Sequence, residues 1–91
     1  GRPVLVDFGS NSCIPCRQLR PILQEIRKEQ AGNLEVLVID IYKHQALAGQ
    51  YRIQVMPTLI FFDSTGKEVF RHQGFMPKTA LMEQLKKVGI S

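Results

Sequence analysis

Four short segments of the chain have the hydrophobic pattern of β-strands. Val4 to Phe8 and Leu34 to Ile41 are almost continuously apolar, which is typical of strands covered on both faces of a sheet. Thr58 to Phe62 and Glu68 to Gln73 are two further strands, and the turn-forming sequence Asp63-Ser64-Thr65-Gly66 follows the first of them. This short connection predicts that the last two strands form a hairpin.

Apolar residues at helical spacing lie between and after these strands. The first helix is predicted from four residues that recur at intervals of three and four, namely Leu19, Ile22, Leu23 and Ile26. We expect Asn11 or Ser12 to cap this helix and residues 31–33 to end it. A short helix is predicted over Gln45 to Tyr51. The terminal helix, over Pro77 to Val88, has one inward apolar face formed by Leu81, Leu85 and Val88.

The predicted elements follow one another in the order β-α-β-α-β-β-α. Because strands linked through helices usually run parallel, we expect the first three strands to be parallel and the last two to pair as a hairpin. The sequence therefore predicts an α/β fold with a central mixed four-stranded sheet and helices on both faces. Its length of 91 residues suits a single domain spanning 1–91.

Composition and charge narrow the range of functions. The chain is 44% hydrophobic and 22% charged, as globular proteins usually are, and its net charge is +4. The basic residues are spread from Arg2 to Lys87 without interleaved aromatic residues, so we expect no nucleic-acid binding. The basic residues of the first helix are interpreted as lying on its solvent-facing side. No apolar run is long enough to span a membrane. We also expect the protein to be a monomer.

The candidate chemistry lies in Cys13-Ile14-Pro15-Cys16, which contains the only two cysteines of the chain. Two thiols at this spacing, after a strand and at the start of a helix, are typical of a redox site that closes and reopens a disulfide. A metal site would need further ligands, and His44 and His72 lack the usual paired spacing. A purely structural disulfide is the weaker interpretation, because closing so small a loop constrains the unfolded chain little.

Together these segments resemble the thioredoxin superfamily over essentially the whole chain. The resemblance rests on Val-Leu-Val-Asp-Phe at 4–8, Cys13-x-x-Cys16, Pro21-Ile22-Leu23, Met56-Pro57-Thr58-Leu59 and Gly74, in this order. It implies a minimal thioredoxin fold, since the strand and helix that usually precede Val4 are missing. The stretch from Phe61 to Met76 is more similar to thioredoxin-like proteins of the bacterial cell envelope than to cytoplasmic thioredoxin.

Three residues are predicted to be catalytic. Cys13 lies nearest the helix start, whose free N–H groups and dipole favour a thiolate, so we expect it to be the nucleophile. Cys16, one turn further along, is the expected resolving thiol. Asp7 is an acid within an apolar strand, where burial would raise its pKa and let it accept the Cys16 proton, a role that the resemblance also implies. The alternative is an aspartate that only caps the loop after its strand.

Residues around the cysteines are predicted to bind substrate. A proline at position 57 would by itself more often indicate an ordinary trans bond at the start of a strand. The resemblance implies instead that Pro57 is a cis-proline facing the two cysteines, with the backbone of Met56 free to pair with an extended substrate. The predicted substrate-binding set is Ile14, Pro15, Met56, Pro57, Thr58, Gly74 and Phe75.

The predicted function is a thiol–disulfide oxidoreductase that reduces protein disulfides without a metal or cofactor, because the cysteine pair carries the electrons. Its electron donor is expected to be a reductase or a membrane thiol carrier. Two alternatives stay open: a module that only binds a partner, and a metal carrier that uses the two thiolates. Gly9 and Ser12 stand where thioredoxin has tryptophans, and Ile14-Pro15 replaces Gly-Pro, so partner choice is expected to differ.

The chain enters its first predicted strand directly after Gly1-Arg2-Pro3, with no charged-then-apolar leader. Such a beginning is typical of a mature or shortened chain, so an original leader or anchor could have been removed. With the resemblance, this predicts location in the bacterial periplasm or on an envelope tether, with the cytoplasm as the alternative.

Overall fold

A computed structural model describes residues 1–90 of the chain; Ser91, the last residue of the predicted domain, lies outside the described residues. Within this range the elements follow the predicted order β-α-β-α-β-β-α. They are β1 (Val4–Gly9), α1 (Ile14–Glu29), β2 (Glu35–Asp40), α2 (Gln45–Gln50), β3 (Thr58–Phe62), β4 (Glu68–Gln73) and α3 (Lys78–Lys87).

The four strands form one mixed sheet in the order β2-β1-β3-β4. β1 and β2 are parallel, with Asp7 opposite Val38. β3 runs antiparallel to β1, with Thr58 opposite Phe8, and β4 pairs antiparallel with β3 as the predicted hairpin. The mixed four-stranded sheet is therefore confirmed.

The expectation that the first three strands run parallel is wrong, because β3 is antiparallel to β1. The reason is the connection that contains α2. Asp40, at the end of β2, lies opposite Gly9, and Thr58, at the start of β3, lies opposite the neighbouring Phe8. The connection thus begins and ends at the same end of the sheet. Because β3 starts at the end of the sheet where β2 stops, it runs in the direction opposite to β1 and β2.

The core lies on both faces of the sheet because side chains alternate along each strand. On one face Leu5, Leu59 and Phe61 pack with buried residues of α1 and α3, which are Leu19, Leu23, Ile26, Leu81 and Leu85. On the other face Val6, Phe8 and Ile60 pack with Leu47 and Tyr51, in and directly after α2. Helices on both faces, as predicted, are therefore confirmed.

β2 is less buried than its apolar sequence predicted. Leu37 and Val38 are 40% and 43% exposed. The sheet order explains this difference, because β2 lies at the sheet edge and has a strand on one side only. Among the described residues, no helix combines the length and the apolarity that crossing a bilayer requires.

The cap of α1 also differs from expectation. The N-cap residue is Cys13, whose Sγ accepts a hydrogen bond from the backbone N–H of Cys16. Asn11 and Ser12 do not cap the helix because their side chains are bonded elsewhere. The Asn11 Oδ1 atom accepts a hydrogen bond from Arg20, and the Ser12 hydroxyl is bonded to the hydroxyl of Ser10.

Candidate active site

Three loops meet at one end of the sheet. β1 ends at Gly9 and leads into the cysteine loop, β3 begins directly after Pro57, and β4 ends just before Gly74. Because β3 is antiparallel to both of its neighbours, these three points lie at the same end. The Gly74 N–H donates a hydrogen bond to the Pro57 carbonyl oxygen at 2.7 Å and ties two of the loops together.

Cys13 and Cys16 form a disulfide at this end, with their Cα atoms 5.2 Å apart. Their environments are unequal. Cys13, before the first residue of α1, is partly exposed, whereas Cys16, inside the helix, is 1% exposed. The Cys16 N–H donates to the Cys13 Sγ at 3.3 Å, and a donor in this position stabilises negative charge on that sulfur. A partner's sulfur can therefore reach Cys13 far more easily than Cys16.

Asp7 lies beneath the helix start, on β1. It is 1% exposed, and its Oδ1 atom has no hydrogen-bond partner among the described residues. Burial raises the pKa of this carboxyl to about 6, and the positive charge of Arg20 opposes the rise. The expected burial of Asp7 and the direction of its pKa are both found.

Gly9 brings the buried acid and the buried thiol to the same place. A Cβ atom built on Gly9 would lie 2.8 Å from the Cys16 Sγ and 3.7 Å from the Asp7 Oδ1. The first of these distances is shorter than a non-bonded contact allows, so the sulfur packs where a side chain of residue 9 would begin. The absence of a side chain at Gly9 therefore lets Cys16 lie against the strand that carries Asp7.

The predicted substrate-binding residues divide into an exposed and a buried group. Ile14 and Phe75 are 64% and 40% exposed, and Pro15, Met56 and Gly74 are partly exposed. Pro57 and Thr58 are buried, and the Met56–Pro57 peptide bond is cis, as the resemblance implied. The Thr58 hydroxyl donates to the Val55 carbonyl oxygen. Thr58 is therefore engaged within the protein through its side chain, and its strand is paired on both sides.

The sequence interpretation missed a contact at this site. Arg20 was assigned to the solvent-facing side of the first helix, but it is half-buried and its Nη2 atom donates to the Asn11 Oδ1 at 2.6 Å. A signal was available, because Arg20 follows Cys16 by four residues and so lies on the same side of the helix.

Neither histidine is hydrogen-bonded to a cysteine in the described residues. His44 is exposed, and a ring nitrogen of His72 lies 3.3 Å from the Phe75 carbonyl oxygen. Within residues 1–90, no three His, Cys, Asp or Glu side chains come together as metal ligands. Sulfur atoms joined to each other cannot act as thiolate ligands, so the disulfide favours exchange chemistry over metal carriage.

Comparison with known proteins agrees with this geometry. The family model described as Thioredoxin matches residues 1–87. The chain belongs to the thioredoxin family. It is 37% identical over 84 residues to thioredoxin of Bacillus subtilis, covering 92% of this chain and 80% of that protein. It superposes on the X-ray structure of Fasciola hepatica thioredoxin with a TM-score of 0.85 and 33% identity, covering 96% of this chain and 81% of that one.

A plant relative is considerably longer. The chain is 38% identical over 85 residues to chloroplastic thioredoxin Y of Oryza sativa, covering 93% of this chain but only 50% of the rice protein. The part of this chain that aligns with each of these thioredoxins includes both of its cysteines. Family membership, together with the Cys13–Cys16 disulfide, identifies a thiol–disulfide oxidoreductase that works by dithiol–disulfide exchange, as the sequence predicted. The similarity of 61–76 to envelope proteins stays a prediction.

Proposed function

We propose that this thioredoxin-family protein reduces disulfides in other proteins, with Cys13 as the nucleophile and Cys16 as the resolving thiol. The observation that carries the proposal is the unequal exposure of the two sulfurs within one disulfide. Only the partly exposed Cys13 is open to a bulky partner. The buried Cys16 is close enough to attack Cys13 and too enclosed to attack a partner directly.

The exchange proceeds in two steps. The Cys13 thiolate attacks one sulfur of the substrate disulfide, so a mixed disulfide forms and one substrate thiolate leaves. Cys16 then loses its proton and attacks the Cys13 sulfur, which breaks the mixed disulfide and releases the second substrate thiolate. The substrate gains two electrons and the protein ends with its Cys13–Cys16 disulfide. The two cysteines carry these electrons themselves, so the reaction needs no cofactor.

We propose that Asp7 accepts the proton of Cys16 in the second step. Two observations support this role: the carboxylate and the sulfur both lie beside Gly9, and the Oδ1 atom is not engaged elsewhere in the described residues. With a pKa of about 6, the Asp7 carboxyl is mostly ionised at neutral pH and is still a better base than an exposed aspartate.

The substrate is proposed to be an extended polypeptide around its disulfide. Ile14 and Phe75 supply exposed apolar surface, and the partly exposed Met56 offers backbone groups at the start of β3. A flat, apolar surface of this kind suits protein disulfides better than small charged disulfides. We propose that the protein acts as a monomer.

The deciding experiment is trapping of a mixed disulfide. Cys16→Ser removes the resolving thiol, so reduced protein should form a stable, reductant-sensitive adduct with a protein disulfide such as that of insulin. Cys13→Ser is the matched control and should trap almost nothing, because the remaining Cys16 is enclosed. Wild-type protein should reduce insulin in the presence of a dithiol. Equal or greater trapping by Cys13→Ser would reverse the assignment of the two thiols.

We further propose an envelope location, with a membrane thiol carrier as electron donor and the cytoplasm as the alternative. Support comes from the resemblance over 61–76 and from Gly9 and Ser12, which stand where thioredoxin has tryptophans. A cytoplasmic thioredoxin reductase should therefore recycle the protein poorly, and Cys16→Ser should capture partners from an envelope fraction. Efficient recycling by that reductase, with no captured envelope partners, would contradict the proposal.

A further inference from the structure

We propose that Arg20, held in place by Asn11, is a positioning residue for resolution: its guanidinium provides the electric field in which Asp7 accepts the proton of Cys16. This inference rests on the proposed role of Asp7 and extends it to a residue outside the Cys-x-x-Cys sequence. It assigns a function to a contact of the site that the sequence pattern did not predict.

The place of Arg20 is defined by its position on α1 and by one side-chain hydrogen bond. It lies one helical turn after Cys16 on α1, and its Nη2 atom donates to the Asn11 Oδ1 at 2.6 Å. Asn11 belongs to the loop between β1 and Cys13. The bond therefore closes the helix back onto the loop that carries the nucleophile. A long side chain that would otherwise sample many rotamers is held next to the site.

The register of the sheet places Asp7 close to this side chain. Asp7 lies opposite Val38 in the pairing of β1 with β2. Arg20 and Val38 together line a groove of about 430 Å³ between α1 and the edge of the sheet. In a parallel pair, partner residues point to the same face, so Asp7 and Val38 both point toward α1. The groove that Arg20 lines therefore also borders the strand partner of Asp7.

Arg20 is the cation that acts on Asp7. The strand neighbours of Asp7 are Val38 on β2 and Leu59 on β3, and neither carries a charge. On the α1 side, the Cys16 sulfur and the Asp7 carboxyl both lie beside Gly9, and Arg20 supplies a positive charge. That charge lowers the pKa of Asp7, against the larger effect of burial, which raises it. Two opposing effects therefore set the proton affinity of this carboxyl.

The expected consequence is a change in pH dependence when Arg20 loses its charge. In Arg20→Gln, burial acts alone, so the Asp7 carboxyl should titrate at a higher pH than in wild type. Resolution should then be slower below this new pKa and should recover at alkaline pH, where the carboxylate is again ionised. A rise of one pH unit would lower the ionised fraction about tenfold on the acidic side of the profile.

Two measurements test the inference. Carboxyl ¹³C NMR of the oxidised protein gives the titration of Asp7 directly. Stopped-flow release from a preformed mixed disulfide at Cys13 gives the resolution rate against pH. We expect an upward shift of both midpoints in Arg20→Gln, a smaller upward shift in Asn11→Ala, and values near wild type in Arg20→Lys, which keeps the charge. Thermal unfolding of each variant checks that it is folded.

Lys28→Gln is the matched control, because it removes one positive charge from the same helix about 12 Å further along. It should leave both midpoints unchanged. An unshifted Asp7 titration in Arg20→Gln, or an equal shift in Lys28→Gln, would overturn the inference while leaving the proposed function intact. An unchanged resolution profile in Asp7→Asn would instead remove Asp7 from the proposed function, whatever Arg20 does to its titration.

Discussion

At the scale of single residues, the site depends on a group that is unfavourable for folding. Asp7 carries a carboxylate that is 1% exposed, and its Oδ1 atom lacks a hydrogen-bond partner in the described part of the chain. A buried charge without a bonded partner costs stability, because the protein replaces water poorly around it. A chain selected for stability alone would carry an apolar residue there.

This cost predicts the effect of Asp7→Asn on stability. The pKa of Asp7 is about 6 in the folded protein against 3.8 for an ordinary aspartate, so the folded state holds the proton more tightly. The group's contribution to stability is therefore present below about pH 4 and is lost as the pH rises through 6. Asp7→Asn should be more stable than wild type at pH 8, by on the order of 1–3 kcal/mol.

Urea unfolding of both oxidised proteins at pH 8, 6 and 4 measures this difference. The gap in the free energy of unfolding should shrink toward pH 4, where the carboxyl is protonated in the folded state and partly protonated in the unfolded state. A gap that stays constant over this range would mean that the charge of Asp7 is not the cause.

Gly9 yields a second prediction at this scale. Gly9→Ala places a Cβ atom 2.8 Å from the Cys16 Sγ, so the disulfide or the strand must shift. We expect a loss of about 1–3 kcal/mol in the free energy of unfolding of the oxidised protein, together with slower exchange. Gly49→Ala is the control, since nothing lies within 4 Å of its Cβ position. It lies in α2 and should be neutral or stabilising by up to about 1 kcal/mol.

At this scale, a residue's role could be predicted when it depends on neighbouring sequence positions, and it was missed when it depends on a contact with a distant position. The Cys-x-x-Cys spacing and an acid within an apolar strand are visible in the sequence itself. The contact between Arg20 and Asn11 spans a loop and two helical turns, and the helical pattern of α1 says only that Arg20 lies outside the buried stripe. The helix cap was missed for the same reason, since Asn11 is engaged by Arg20.

At the scale of elements, the hydrophobic periodicity predicted which segments form helices and which form strands. It could not predict how the strands are arranged in the sheet. The bounds of β3 and β4 agree with the sequence prediction, because polar and turn-forming residues end each apolar run. The direction of β3 depends on the path of residues 41–57, and the exposure of β2 depends on its place at the edge. Neither property is encoded in the apolar pattern of the strand itself.

The packing of α3 gives a prediction for an element. Leu81 is fully buried where α3 packs against the sheet, so Leu81→Ala leaves a cavity. The free energy of unfolding should fall by about 2–5 kcal/mol. Leu37→Ala is the matched control on the exposed edge strand and should cost no more than about 1 kcal/mol. Equal losses in urea unfolding would mean that α3 contributes no more to the core than the edge does.

At the scale of the whole molecule, the two ends of the sheet differ in what they do. The disulfide, the cis peptide bond and the Gly74 loop lie at the end where β1 finishes. The opposite end carries the turn between β3 and β4, where Asp63 accepts hydrogen bonds from the backbone N–H groups of Thr65 and Lys67. The Thr65 hydroxyl also donates to Asp63, and this bond, together with the two backbone bonds, lowers the pKa of the Asp63 carboxyl.

The turn at the far end gives the protein a natural point of attachment. Ser64, Thr65 and Gly66 are exposed and lie a full strand length away from Cys13. A bead, an electrode or a fluorescent label coupled there would leave the cysteines directed into the surrounding solution. The same turn can accept an inserted tag, since it connects neighbouring strands and carries none of the reacting groups. Immobilised in this orientation, every molecule on a surface would present its disulfide outward.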